Sequence, residues 1–335
     1  DGDGVDEYGV GQPNADTPVS GGAGAVHVFS GATGALYCEV YDTSGGSSDG
    51  FGDALAGIPD VTGDGVPDFV VGVPFYDGPA ANTGTVLIFD GATCEIDRRL
   101  VPLVAGSGDQ FGTSVAHVGD VNLDGVPDLA VGTPYRDDTG NNLGQIDVYE
   151  GDTGHRIHRL TTGLDNDQLG HAITGIDDLD GDLVPDIVAG VYNRDGARGA
   201  VVVFSGATGD LIDTWNRPSS GSGDSFGFSV AAIDDVTGDS VPDVVVGAIN
   251  EETIAGSNVG DAQILSGADG TVWQTLSDPG GGPSDDFGYA VAGAGDIDGD
   301  GFEDVVVGAP LHDGSAGSDS GGVIVFSGAT GAVLY

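Results

Sequence analysis

Asp296-Ile297-Asp298-Gly299-Asp300-Gly301-Phe302-Glu303-Asp304 places carboxylates at its first, third, fifth and ninth positions and a glycine at its sixth. Val305-Val306-Val307-Gly308-Ala309-Pro310 follows at once. A short valine-rich run reads as a buried strand, so the acidic stretch is a turn that leads into a strand. Oxygen donors at alternate positions of a tight, glycine-bearing loop suit a hard cation such as Ca²⁺, which takes six to eight oxygens.

The loop recurs as Asp60/Thr62/Asp64/Asp68, Asp120/Asn122/Asp124/Asp128, Asp178/Asp180/Asp182/Asp186 and Asp235/Thr237/Asp239/Asp243. The chain also opens inside a copy, with Asp1, Asp3 and Glu7 overlaying Asp298, Asp300 and Asp304. The seventh position would supply a backbone carbonyl, at Val66, Val126, Val184, Val241 and Phe302. One such stretch could be an ordinary solvated turn, since Asp and Gly favour turns anyway. Six in phase, each with a ninth-position acid, point to five or six bound Ca²⁺. An EF-hand is excluded because the twelfth position is apolar (Val71, Val131, Val307) and the flanks read as strands. Thr62 and Thr237 each remove one negative charge, which predicts weaker sites or an extra water there.

The loops repeat about every 60 residues. Phe51-Gly52 precedes one of them and recurs as Phe111-Gly112, Leu169-Gly170, Phe226-Gly227 and Phe287-Gly288. A strand-like run, the acidic loop and a second strand follow each time. Then come a polar loop of varying length, a third strand such as Gly84-Thr85-Val86-Leu87-Ile88-Phe89, a turn such as Ser205 to Gly209, and a weaker fourth strand. No stretch holds a helical period. Four short antiparallel strands per unit predict an all-β chain, a β-propeller of six or seven blades. The repeats run approximately over 1–50, 51–110, 111–168, 169–225, 226–286 and 287–335, the first and last incomplete, within one domain. The start in mid-motif predicts a window of a longer protein.

The chain has 8 Lys+Arg, all of them Arg, against 54 Asp+Glu, for a net charge of −46. Six Ca²⁺ would leave about −34 of it. The remainder calls for a salt-rich or Ca²⁺-rich medium that screens self-repulsion. It argues against nucleic acid as a partner, because no basic patch can neutralise phosphates. No apolar run approaches membrane-spanning length, so no membrane insertion is expected of this segment. Cys38 and Cys94 occupy neighbouring repeats at similar phases, and either pair or remain thiols.

Phe-Gly, then Asp-x-(Asp/Asn/Thr)-x-Asp-Gly-x-x-Asp, then Gly-Ala-Pro resembles the FG-GAP repeat of integrin α-subunit β-propellers and their bacterial relatives. The departures are Leu183 and Ser240 in place of glycine, and Gly190-Val191-Tyr192 and Gly247-Ala248-Ile249 in place of Gly-Ala-Pro. The resemblance implies Ca²⁺ in the hairpin between first and second strands, an extracellular or cell-surface setting and a role in adhesion or recognition. It implies a partner on the face opposite the metal loops, where 76–83, 135–143, 250–259, 311–320, 42–50 and 277–286 would lie. That partner would be a protein or a glycan, or further copies of the chain in a surface layer or fibre.

Catalysis finds little support. Gly223-Asp224-Ser225-Phe226-Gly227 matches Gly-x-Ser-x-Gly, but its phase is that of every other repeat start. His27, His117, His155, His158, His171 and His312 share no repeat phase and form no zinc motif, so structural or surface roles are expected of them. A lyase or lipase would need converging His, Arg or Tyr in one pattern-breaking repeat, and none is visible.

Overall fold

The computed structural model describes residues 2–335 apart from 3, 19, 138–140, 218–222, 251–258 and 314–318. The fold is all-β, of β-propeller type, with six antiparallel sheets in succession as blades. The chain divides into two units, Asp1–Gly170 and His171–Tyr335.

The first unit holds three sheets. β1 (Tyr8–Gln12), β2 (Ala25–Phe29) and β3 (Leu36–Val40) form the first; β4 (Ala54–Ile58), β5 (Asp68–Val73), β6 (Thr85–Phe89) and β7 (Ile96–Leu100) the second. The third consists of β8 (Val115–His117), β9 (Leu129–Gly132), β10 (Ile146–Tyr149) and β11 (Arg156–Leu160). The second unit holds β12 (Ala172–Ile176), β13 (Asp186–Gly190), β14 (Val201–Phe204) and β15 (Leu211–Trp215). Next come β16 (Phe226–Ile233), β17 (Asp243–Ala248), β18 (Asp261–Leu265) and β19 (Val272–Leu276), then β20 (Ala290–Gly293), β21 (Val305–Ala309) and β22 (Gly322–Phe326). After β22, Val333 bridges back to Phe326, and Leu334 N–H donates to the Val325 carbonyl.

Second and third strands are apolar at nearly every position because both faces of the sheet are covered. In β5 and β6, Val71, Val73, Leu87 and Phe89 pack with Val26, Val28 and Phe51 towards the first sheet. The alternating residues Val70, Val86 and Ile88 pack with Phe111, Leu129 and Val131 towards the third. The second unit repeats this: Val244 and Val246 face Val188 and Val203, while Val245 and Ile264 face Val305 and Val307. A strand puts successive side chains on opposite faces, so a continuous valine run serves two cores. Fourth strands are mostly exposed and bury their last residue, as at Leu100, Leu160, Trp215 and Leu276.

The two glycine signatures meet each other. A Cβ on Gly72 would stand 2.1 Å from the Gly112 carbonyl oxygen, and one on Gly132 2.0 Å from that of Gly170. In the second unit the distances are 1.8 Å for Gly190 against Gly227 and 2.0 Å for Gly247 against Gly288. In these four pairs the glycine at or beside the end of a second strand is thus in backbone contact with the glycine of the next repeat start. Only glycine allows that approach.

Candidate metal centres

Each acidic loop closes a hairpin between first and second strands, and its carboxylates divide into wired and exposed ones. The first-position carboxylate folds the loop around itself. Asp60 accepts N–H bonds from Gly63 at 2.6 Å, Asp64 at 3.2 Å and Gly65 at 2.7 Å. Asp178 takes Gly181, Asp182 and Leu183; Asp235 takes Gly238, Asp239 and Ser240; Asp296 takes Gly299, Asp300 and Gly301. Asp120 takes Asp124 and Gly125. Slight desolvation pushes Asp60, Asp178 and Asp235 up, but these backbone donors outweigh it and hold all three below the ordinary carboxylate range.

Fifth-position acids turn towards the seventh residue. Asp64, Asp124, Asp182, Asp239 and Asp300 accept the N–H of Val66, Val126, Val184, Val241 and Phe302 at 2.8–3.0 Å. At the third position, the Thr62 hydroxyl lies 3.4 Å from both Asp60 Oδ1 and Asp68 Oδ1. Thr237 repeats this at 3.3 Å from Asp235 and Asp243. Asn122 accepts the Asp124 N–H and donates its amide to Asp124 Oδ2.

Ninth-position acids are buried: Asp68, Asp128, Asp186, Asp243 and Asp304. One oxygen of each accepts an N–H from its own loop (Val61, Val121, Leu179, Val236 and Ile297) at 2.7–2.9 Å. In four blades the other oxygen accepts the N–H of Gly91, Gly206, Gly267 or Gly328, in the turn between third and fourth strands. The ninth acid therefore fastens two turns of the same blade end together. Burial pushes Asp128 and Asp186 up to about 6 against the pull of these donors, and raises Asp68 and Asp243 as well.

Three sets of carboxylate oxygens lie within 4.8 Å of one another among these loops: Asp178/Asp180/Asp186, Asp235/Asp239/Asp243 and Asp296/Asp298/Asp300. The loops at 60–68 and 120–128 form no such set among the described residues. A carboxylate offers about four lone pairs, so an oxygen already bonded to an N–H retains one for a cation. The donor chemistry fits a hard divalent ion: several carboxylates and a threonine hydroxyl converge, and the chain has no lysine to neutralise them. Asp1 and Asp3 lie outside the described residues. Glu7 is half-buried and lines, with Asp6, Asp68 and Phe69, an open cavity of about 550 Å³.

Sequence reasoning missed the tether from Gly91, Gly206, Gly267 and Gly328. Its signal was present, because the second residue of every Ser-Gly-Ala-Thr-Gly-like turn is glycine. A Cβ on Gly91 would stand 1.8 Å from the Pro67 carbonyl oxygen. Cys38 and Cys94 form a disulfide joining the first two sheets. Trp215 is buried in its fourth strand, whereas Trp273 is exposed in the next sheet's. Of the loops expected to carry a partner face, 76–83, 42–50 and 277–286 are described in full; parts of 135–143, 250–259 and 311–320 lie outside the described residues. Antiparallel order puts these loops at the sheet ends opposite the acidic hairpins.

The FG-GAP repeat family model matches at residues 51–89, 111–149 and 287–326. The chain is 31% identical to integrin alpha-V of Gallus gallus over 243 residues, which is 65% of this chain and 22% of that protein. It is 32% identical to integrin alpha-5 of Xenopus laevis over 222 residues, 61% of this chain and 20% of that one. Against integrin alpha-7 of Homo sapiens it is 34% identical over 152 residues, 42% and 12%. The matches thus span about a fifth or less of these relatives' length. Three of the six successive blades carry repeats that match the family model, so the chain is a β-propeller bearing FG-GAP repeats and similar in sequence to integrin α-subunits.

Proposed function

We propose that the chain is a Ca²⁺-binding, non-catalytic recognition module that works outside the cell or at its surface. The observation that carries this reading is the acidic hairpin repeated in phase with FG-GAP repeats. The ligands would be the first, third, fifth and ninth side chains with the seventh carbonyl: Asp60, Thr62, Asp64, Val66 and Asp68 in one loop, and their counterparts in the others. Bound Ca²⁺ would neutralise each cluster and cross-link a hairpin tip whose exposed carboxylates repel one another. Extracellular modules of this kind hold Ca²⁺ at about 10⁻⁴–10⁻³ M, so such ions would load outside cells and not within them. The Cys38–Cys94 disulfide supports the same setting, since such bonds persist in oxidising compartments. A protein partner would meet the sheet ends opposite the hairpins, through loops such as 42–50, 76–83 and 277–286.

Calorimetry of the chain with Ca²⁺ and after chelation tests the reading. The melting temperature should fall sharply on chelation and return when Ca²⁺ is restored. An identical melt in EDTA would refute it.

A further inference from the structure

At the sheet ends opposite the acidic hairpins, we propose that Asp278, Asp285 and His312 form a site for a first-row divalent transition metal of the Zn²⁺ class. One ligand atom from each residue lies within 4.8 Å of the other two. Asp278 and Asp285 belong to the loop joining the last two blades, and His312 follows β21. His312 Nδ1 is 2.8 Å from Asp278 Oδ2 and 3.2 Å from Asp285 Oδ2. It bonds to Asp285. The nearer oxygen, Asp278 Oδ2, is buried and accepts no hydrogen bond, although the Asp278 side chain is only 3% exposed. One imidazole N–H cannot serve two carboxylates, so a buried acceptor is left aimed at two others.

Two equivalent loops elsewhere in the chain set an arginine against an acid. Asp42 and Asp49 occupy the places of Asp278 and Asp285, and Arg99 Nη2 approaches Asp42 at 2.6 Å. Asp109 occupies the place of Asp285 alone, and Arg136, in the place of His312, meets it at 2.7 Å. Among the described residues, the two acids at 278 and 285 face an imidazole and no arginine. The chain's eight arginines are all described, and none forms an ion pair with either acid among the described residues. A divalent cation would supply the missing charge.

The scaffold is set. Gly280 N–H anchors Asp278 Oδ1 at 2.7 Å, and Gly282 N–H anchors Asp285 Oδ2 at 2.7 Å. The imidazole lies beside Gly322 and Gly280, where an added Cβ would sit 3.2 Å from Cδ2 and 3.6 Å from Cε1. Ca²⁺ prefers an all-oxygen shell, whereas one imidazole with two carboxylates suits Zn²⁺ or its neighbours. Three protein ligands leave a coordination position open.

The test titrates the chain with Zn²⁺, or Co²⁺ for its visible absorption, in excess Ca²⁺ to occupy the acidic hairpins. One Zn²⁺ per chain should bind, with a Co²⁺ d–d band. His312→Ala and Asp278→Asn should weaken it more than about 100-fold, since even outer-shell partners of metal ligands cost 10–100-fold. Asp300→Ala should leave the band unchanged. His312→Arg is expected to abolish binding while raising metal-free stability, which separates a metal site from a failure to fold. Equal Zn²⁺ binding by wild type and His312→Ala, or none by wild type, would overturn the proposal in favour of a plain ion pair.

Discussion

At the residue scale, one carboxylate type performs two jobs according to its place in the loop. Asp182 is exposed and holds only its own loop, whereas Asp186 is fully buried and joins two turns through Leu179 and Gly206. Asp182→Ala should therefore cost stability mainly in Ca²⁺. Asp186→Ala should cost about 2 kcal/mol in metal-free protein at pH about 4.5, where no buried charge is removed, because the Leu179 and Gly206 N–H groups lose their acceptor. Chemical denaturation of both variants with and without Ca²⁺ reads the difference; equal losses in metal-free protein would contradict it. Leu183 is a separate case. It has φ +70° where Gly65, Gly125 and Gly301 have +91° to +93°. A left-handed side chain costs about 1–2 kcal/mol, and glycine gives back about 0.5–1 in chain entropy. Leu183→Gly should stabilise the fold by up to about 1 kcal/mol, visible as a raised melting temperature.

At the element scale, each sheet is a spacer between two cores, and the strand ends decide how closely neighbours approach. Phe51 meets Phe89 edge-on at 6.0 Å, and Phe287 meets Phe326 at 5.9 Å in the same way. These rings fill the space beside the glycine contacts, so the aromatic and glycine halves of the Phe-Gly signature serve one packing event. The first sheet has three strands among the described residues, and the disulfide from β3 ties it to the second. Closing a loop of 56 residues stabilises by about 4 kcal/mol on the chain-entropy account. Replacing Cys38 and Cys94 together by alanine should lower protection from hydrogen exchange within Asp1–Gly170 and leave His171–Tyr335 unchanged. Loss spread evenly over both units would argue against this.

At the scale of the whole molecule, charge governs behaviour. A net −46 opposes the compact state, and the buried ninth-position acids add to that cost. Asp128 and Asp186 titrate at about 6 in the fold against 3.8 for the free group. Their folded-state pKa is raised, so the stability gained by protonation is present below about 3.8 and is lost as pH rises through about 6. Metal-stripped protein should accordingly melt lower at pH about 7.5 than at about 4.5, and saturating Ca²⁺ should remove most of that difference. Melts of stripped and loaded protein at the two pH values check it. A stripped protein more stable at the higher pH would refute the assignment of unneutralised buried carboxylates.

Much of this was legible in the sequence because it recurs. In-phase carboxylates, Phe-Gly and valine runs each carry a local physical demand: oxygen ligands, a close backbone approach, a strand buried on both faces. Repetition at about 60 residues makes each demand readable. What recurs less regularly was not legible. Whether Cys38 and Cys94 pair depends on two strands meeting, and composition left both outcomes open. Asp278 and Asp285 reach His312 from 34 and 27 residues away, and only two of the three stand at a repeating phase that hints at a partner. The linear order of residues determined the blades and their acidic tips, since those follow from nearest-neighbour backbone geometry. Which acid is buried, which is tethered to a glycine and which faces a histidine was decided only by the packed fold, because burial and charge pairing are properties of three-dimensional proximity.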